Sequence, residues 1–342
     1  MTRKVTIALD AMGGDRGPDM VIPAALATLE KDDSVNLILV GRPETLERAK
    51  RQAADNYGTR LQLKSASEVV GMDEPPSDAL RHKKDSSLRV AIELVKSAEA
   101  DACVSAGNTG ALMATARYVL KMLPGIDRPA IISAVPGLQG PTFMLDLGAN
   151  VGCTARHLLQ FALMGSVVAG DMLEIERPRV GLLNIGQEDI KGNDIVREAG
   201  ELLSHSGLNY TGFVEGDGIF RGDVDVVVSD GFVGNVAIKT MEGVASLISS
   251  FLKEEFQKSA LRRLQGLAAS SALLSLRARL DPRRYNGASL VGLNGVVLKS
   301  HGGADEVAFE TAVRTAIVEA RKGVPVQIGK LVENQVSLCT RA

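Results

Sequence analysis

Ile7-Ala-Leu-Asp10-Ala-Met-Gly13-Gly14-Asp15-Arg-Gly17-Pro18 is the stretch whose reading decides the fold. It begins as a short apolar strand, turns on glycines and opens a helix. Pro18 suits the first helical turn, where its missing N–H costs nothing. Glycine leaves no Cβ in a ligand's way and tolerates positive φ. A helix N-terminus then offers free N–H groups and a positive dipole end to an anion. The same grammar recurs downstream. Ala102–Ser105 runs into Ser105-Ala-Gly107-Asn108-Thr109-Gly110, and Thr142–Asp146 into Asp146-Leu-Gly148-Ala149-Asn150. Arg179–Asn184 runs into Asn184-Ile-Gly186-Gln-Glu188-Asp-Ile-Lys191-Gly192. Val224–Ser229 runs into Asp230-Gly231-Phe-Val-Gly234-Asn235, with Lys239 two helical turns on.

Strands that are continuous apolar runs are buried on both faces, which predicts a mainly parallel sheet covered by helices. Strand–helix alternation adds βαβ units, so the expected fold is a three-layer α/β/α domain over residues 1–330, followed by a tail at 331–342. Further strands are expected at Val35–Val40, Arg60–Lys64 and Val296–Ser300. Ala130–Val135 and Thr142–Asp146 form a hairpin, because Pro136–Pro141 is too short for a crossover helix. Helices are expected at Ser87–Ala98, Thr109–Met122, Thr154–Asp171, about Ile190–His205 and Asp305–Lys322, while Ser65–Lys84 reads as an exposed loop. In parallel sheets ligands sit beyond the C-terminal strand ends. The five glycine turns are therefore expected along one edge, as a wide polar cleft.

From about 247 to 284 the chain makes an excursion. Val244, Leu247, Ile248, Phe251 and Leu252 recur at helical spacing, Lys253, Lys258, Arg262 and Arg263 outnumber Glu254 and Glu255, and Leu264–Leu276 carries no charge. This predicts a basic helical hairpin with an apolar tip.

The 342 residues are 45% hydrophobic, enough for a large core, and the net charge of −2 gives no reason to expect a nucleic-acid partner. Cys103, Cys153 and Cys339 are odd in number and form no CxxC, which favours a reducing, cytoplasmic setting without disulfides. No apolar run reaches the roughly 18 to 20 residues of a membrane span, and no secretory signal is evident. Neither GxxxxGK[ST] nor GxGxxG is present, the four histidines form no metal-binding spacing, and no GxSxG elbow occurs. Anion-binding turns without an evident side-chain nucleophile or cofactor suit a reaction in which a bound anion attacks. The protein then supplies position and electrostatics.

Together these motifs resemble the bacterial acyl-carrier-protein:phosphate acyltransferase family. The matching runs are Leu9–Asp15, Ser105–Ala114, Asp127-Arg-Pro129, Leu145–Asn150, Val180–Gly186 with Lys191-Gly192, Ser229–Val236 and His301-Gly302, spanning about Val5 to Lys322. At Asn286 the family pattern leads one to expect glycine. The resemblance implies a fold similar to phosphate acetyltransferases and isocitrate/isopropylmalate dehydrogenases. It implies transfer of a long acyl chain from acyl-carrier protein to inorganic phosphate. The acyl phosphate would feed phosphatidic acid synthesis through a membrane glycerol-3-phosphate acyltransferase. A soluble homodimer that associates with the inner membrane face is implied as well.

On that chemistry Lys191 and Lys239, with N–H groups near Gly186 and Gly234, are candidates to hold phosphate, and Asn108, Asn150 or Asn235 to donate to the oxyanion. His301 is a candidate to protonate the leaving thiolate. Gly13, Gly14, Asp15, Ser105 and Thr109 line the expected cleft, although Asn108, Thr109 and Thr154 also read as helix caps. Lys253, Lys258, Arg262, Arg263, Leu267 and Leu273 are candidates to meet carrier protein or membrane; the apolar stripe also fits a dimer core. Rival readings are a phosphate acetyltransferase on short acyl-CoA, a dehydrogenase on a related fold, and a non-catalytic scaffold joining carrier protein to membrane.

Overall fold

The computed structural model describes residues 3–53 and 56–339. One eleven-stranded sheet organises the chain, in the order β3-β2-β1-β4-β11-β10-β5-β6-β9-β7-β8. The strands are β1 (Val5–Asp10), β2 (Val35–Gly41), β3 (Leu61–Ser65), β4 (Ala102–Ser105), β5 (Ala130–Val135), β6 (Thr142–Leu145), β7 (Arg179–Leu183), β8 (Asn209–Val214), β9 (Val226–Val228), β10 (Ala288–Val291) and β11 (Val296–Lys299). Helices cover both faces: α1 (Pro18–Lys31), α2 (Pro43–Ala53), α3 (Pro76–His82), α4 (Ser87–Lys96), α5 (Thr109–Leu120), α6 (Ala155–Leu173), α7 (Asp194–Ser204), α8 (Gly231–Gln257), α9 (Ala260–Ala268), α10 (Ser270–Leu280), α11 (Glu306–Lys322) and α12 (Val324–Cys339). The three-layer, mostly parallel architecture follows from the strand composition: Ile7, Leu9, Val104, Leu298, Val226 and Val228 are wholly buried, as strands covered on both faces require.

Alternation along the strands assigns the faces. Leu9, Val104 and Leu298 pack with α1 and α11, whereas Ala8, Cys103 and Val297 pack with α4 and α5. The pairings β11–β10, β10–β5 and β5–β6 are antiparallel, and the other seven neighbouring pairs are parallel. Three successive reversals turn the second half of the sheet round. Strands β1, β4 and β11 therefore end at one edge, while β6, β9 and β7 end at the opposite edge. The expectation of five glycine turns on a single edge is corrected here: two lie on the first edge and three on the second. The cause is β10, a four-residue strand absent from the expected elements, inserted between β11 and β5.

Other differences are local. Ser65–Lys84 contains helix α3, because Pro76 opens a helix as readily as it marks a loop. Helix α7 starts at Asp194, capped by Asn193, so Lys191 lies in the preceding loop. The segment from 331 continues α12, whose Val332 is buried against α6; residues 340–342 lie outside the described residues. Among the described residues no helix is long and apolar enough to cross a membrane.

The excursion is built on α8. It leaves the second edge at Gly231, crosses the sheet face and emerges past the first edge. Ala237, Ile238 and Met241 still pack on the sheet, whereas Val244, Leu247 and Phe251 are exposed. Its 27 residues span about 40 Å. Helix α9 packs back on it, with Gly266 against Phe256, and α10 follows against α9. The chain re-enters the sheet at β10, beside the end of β11.

Candidate active site at the first edge

Asp10, Ser105 and Lys299 close three adjacent strands on the face of α4 and α5. The ladder pairs Lys299 with Ser105, and Asp10 ends β1 on the other side of β4. Asp10 and Ser105 are each 1% exposed. Ser105 Oγ donates to Asp10 Oδ2 at 2.6 Å and accepts from Gly107 N–H at 3.0 Å, so both functions of the hydroxyl are spent. Asp10 also accepts from Ser87 and from the backbone of Met12 and Gly13, yet burial dominates and raises its pKa above the ordinary carboxylate range. Gly13 must be glycine: a Cβ there would stand 2.7 Å from Asp10 Oδ2 and 2.7 Å from Gly107 N.

Lys299 enters this cluster from β11, donating from Nζ to the carbonyls of Ala106, at 3.1 Å, and Ser300. Burial lowers its pKa to about 8; Asp10 and Asp15 act in the opposite sense, and the charge of Lys239 adds to the lowering. Lys299 thus feels the charge of a second cation that comes from a different element. Lys239 projects from α8 and pairs with Glu242 at 2.7 Å. The turn after β11 completes the wall. Asp15 N–H donates to Gly302 O at 2.9 Å, tying the two turns together. His301 is exposed, and its Nδ1 accepts from Gly303 N–H at 3.1 Å, which leaves the proton on Nε2. Asn286, where glycine was expected, accepts from His301 N–H and donates to Ser300 Oγ and Ala308 O. The root of the hairpin is thereby fastened to the histidine turn.

Two of the three candidate amides, those of Asn108 and Asn150, make hydrogen bonds within the fold, and Asn235 is exposed. Asn108 caps α5 through Ala111 N–H, and its amide donates to the carbonyls of Met72 and Glu74. Thr109 is the exposed first residue of that helix. Asn150, at the second edge, donates to Pro129 O at 2.7 Å and to Asp146 Oδ2 at 2.9 Å. Asp146 accepts four N–H groups, from Ile131, Ala149 and both nitrogens of Asn150. Gly234 lies so close to this turn that a Cβ would meet Asp146 O at 2.0 Å, and Asn235 beside it flanks Gly148. Lys191 is exposed in the loop between Gly186 and Gly192, at this second edge and apart from His301. A cavity of about 320 Å³ lies between these turns, walled by Leu158, Leu182, Val196, Phe232 and Val233.

A family model described as "Fatty acid synthesis protein" matches residues 5–327. The phosphate acyltransferase of Alkalilimnicola ehrlichii is 62% identical over 334 residues, covering 98% of each chain. That of Methylococcus capsulatus is 59% identical over 325 residues, covering 95% of this chain and 96% of its own. The chain belongs to the phosphate acyltransferase family. Its fold is shared with a phosphotransacetylase from Streptococcus pyogenes (TM-score 0.62, 17% identity, 93% and 94% covered) and a 4-hydroxythreonine-4-phosphate dehydrogenase from Burkholderia phymatum (TM-score 0.51, 17% identity, 92% and 98% covered).

Against this acyltransferase background, Lys299 is the residue that sequence reasoning missed. A lysine at a strand end ordinarily points to solvent. Here β4 and β10 flank it, and it lies in the field of Asp10, which is far away in sequence. The run Val296-Val-Leu-Lys299-Ser-His301 held the signal, a cation directly before the histidine turn.

Proposed function

We propose that this chain transfers a long-chain fatty acyl group from acyl-carrier protein to inorganic phosphate. The observation that carries the reading is Lys299, bonded through Nζ to the carbonyls of Ala106 and Ser300 and within the field of Lys239, on an edge where Ser105 already donates to Asp10. Such an edge holds an anionic nucleophile and offers none of its own. Phosphate sits between the two ammonium groups and attacks the thioester carbonyl. His301 Nε2 faces the oxyanion or the departing sulfur. Lys191 would form a separate anion contact at the second edge, and Lys191→Ala tests whether that edge takes part.

The hairpin supports the carrier protein as acyl donor, because it rises from the same edge. Lys258 and Arg262 pair with Glu255, whereas Lys253 and Arg263 are exposed and have no ion pair among the described residues. Free cations of this kind raise encounter rates with acidic partners. Leu267 is 71% exposed at the tip and suits an anionic membrane surface; Leu273 is half-buried and contributes less. The exposed stripe of α8 suits the core of a homodimer. The enzyme would act in the cytoplasm, at the inner membrane face, and deliver acyl phosphate to a membrane glycerol-3-phosphate acyltransferase.

The test incubates purified protein with palmitoyl-acyl-carrier protein, with and without phosphate. Phosphate-dependent release of carrier thiol together with a hydroxylamine-reactive acyl phosphate is expected. Thiol release that ignores phosphate overturns the reading. A higher kcat/KM with acetyl-CoA than with the long-chain carrier substrate favours the phosphate acetyltransferase alternative.

A further inference from the structure

Lys299 has a hydrogen-bonding arrangement that fits both of its protonation states. A neutral amine uses its two N–H groups on the carbonyls of Ala106 and Ser300 and keeps a lone pair free. The ammonium makes the same two bonds and has a third N–H to spare. The surrounding charges are balanced between the two states. Asp10 from β1 and Asp15 from the following turn hold the proton on, while burial and Lys239 from α8 push it off. Cys103, two residues back from Ser105 on β4, is held neutral because burial and Asp10 both raise its pKa. Ser105 and Ser300 carry no charge, and His301 borders the group from the next turn. The result is a titration at about 8. An ordinary cysteine thiol titrates near ~8.5, so a proton passes between such a lysine and a thiolate at little cost.

We propose that Lys299 is a catalytic residue, which holds the attacking phosphate through its third N–H and gives that proton to the departing sulfur. The proposal rests on the acyl-transfer reading above. A phosphate oxygen pair forms the C–O bond as the carbonyl pair moves onto oxygen. That pair returns, the C–S bond breaks, and the sulfur takes the Lys299 proton. The proton of the hydrogen phosphate then restores the ammonium. Thiol and acyl phosphate dianion result, and no further reactant is needed.

Lys299→Arg separates charge from proton transfer, since guanidinium does not deprotonate in this range. It should keep the phosphate KM within about threefold, lose on the order of 10²-fold in kcat, and lose the alkaline fall of kcat/KM above pH 8. Lys299→Met should lose both KM and kcat. An arginine variant with wild-type kcat and pH profile overturns the proposal, as does a rise in KM alone. If neither variant folds, the wild-type enzyme decides. At pH 8 a lysine-acylating reagent should modify Lys299 ahead of Lys239, and phosphate should block it. Labelling that is indifferent to phosphate sinks the idea. A wild-type enzyme that releases no thiol in response to phosphate refutes the acyl-transfer reading itself, whereas active wild type beside an equally active arginine variant refutes only the role of Lys299.

Discussion

The two edges of the sheet carry look-alike turns that do different work. At the second edge Asp146 is fully buried and its acceptor sites are filled by four N–H donors from its own neighbourhood. Asp230 likewise accepts from Cys153 and Phe232 N–H while capping α8. At the first edge Asp10 is equally buried, but its environment includes a titrating lysine and an exposed histidine turn. The difference shows that a glycine turn at a strand end is a neutral frame. What differs is the company that neighbouring strands bring: Asp10 also has four donors, Ser105, Ser87, Met12 and Gly13, but it lies in the field of Lys299.

The largest effect should come from removing a satisfied group. Asp146→Ala strands several buried N–H donors and should cost roughly 3–5 kcal/mol in urea unfolding; a loss under about 1 kcal/mol would dissolve the contrast between the edges. Between them lies Glu319, which is buried with Oε2 bonded to Ser289 Oγ and Oε1 unpartnered, and whose pKa burial raises to about 7. The folded state then binds more protons than the unfolded one between about pH 4.5 and 7. Stability should fall by roughly 3 kcal/mol as pH rises through that window and stay low above it. Denaturation midpoints of Glu319→Gln should lack this slope.

At the first edge, Asp10→Asn removes an anion that keeps Lys299 protonated. The alkaline limb of kcat/KM should move down by about one unit, a loss of roughly fivefold at pH 8, with unfolding changed by no more than about 1 kcal/mol. Destabilisation as large as that of Asp146→Ala would make the edges equivalent. The smallest effect on turnover belongs to the hairpin tip. Leu267→Asp with Leu273→Asp should abolish sedimentation with anionic vesicles yet change kcat on a soluble acyl donor less than about twofold. Loss of the dimer instead would assign these residues to packing.

Much of this architecture was legible in the sequence, because apolar runs, glycine turns and proline positions are local signals. Pro18, Thr154 and the β5–β6 hairpin stand where they were expected. The direction of each half-sheet was not legible. It depends on β10, whose Ala288-Ser-Leu-Val291 is too short and mixed to announce a strand. The site was legible in its glycines and histidine but not in its proton chemistry. Asn108 and Asn150 read equally as ligands or braces in the sequence, and their bonds to Met72, Glu74 and Pro129, distant in sequence, could not be read there. Long-range contacts likewise bury Lys299.

Helix α8 has a mechanical consequence. Its root is wedged at Gly231 against Asn150 and Asp146, its shaft carries Lys239 past the first edge, and its far end bears the exposed tip. Lys239 lies about 12 Å from the root and the end of the helix about 40 Å from it. A tilt of about 5° at this pivot displaces the end by roughly 3–4 Å and Lys239 by roughly 1 Å, a misplacement large enough to alter a rate substantially. The hairpin is therefore a lever with Lys239, the lysine proposed to meet phosphate, on its short arm, so that whatever seats the tip would also set the position of that ammonium group.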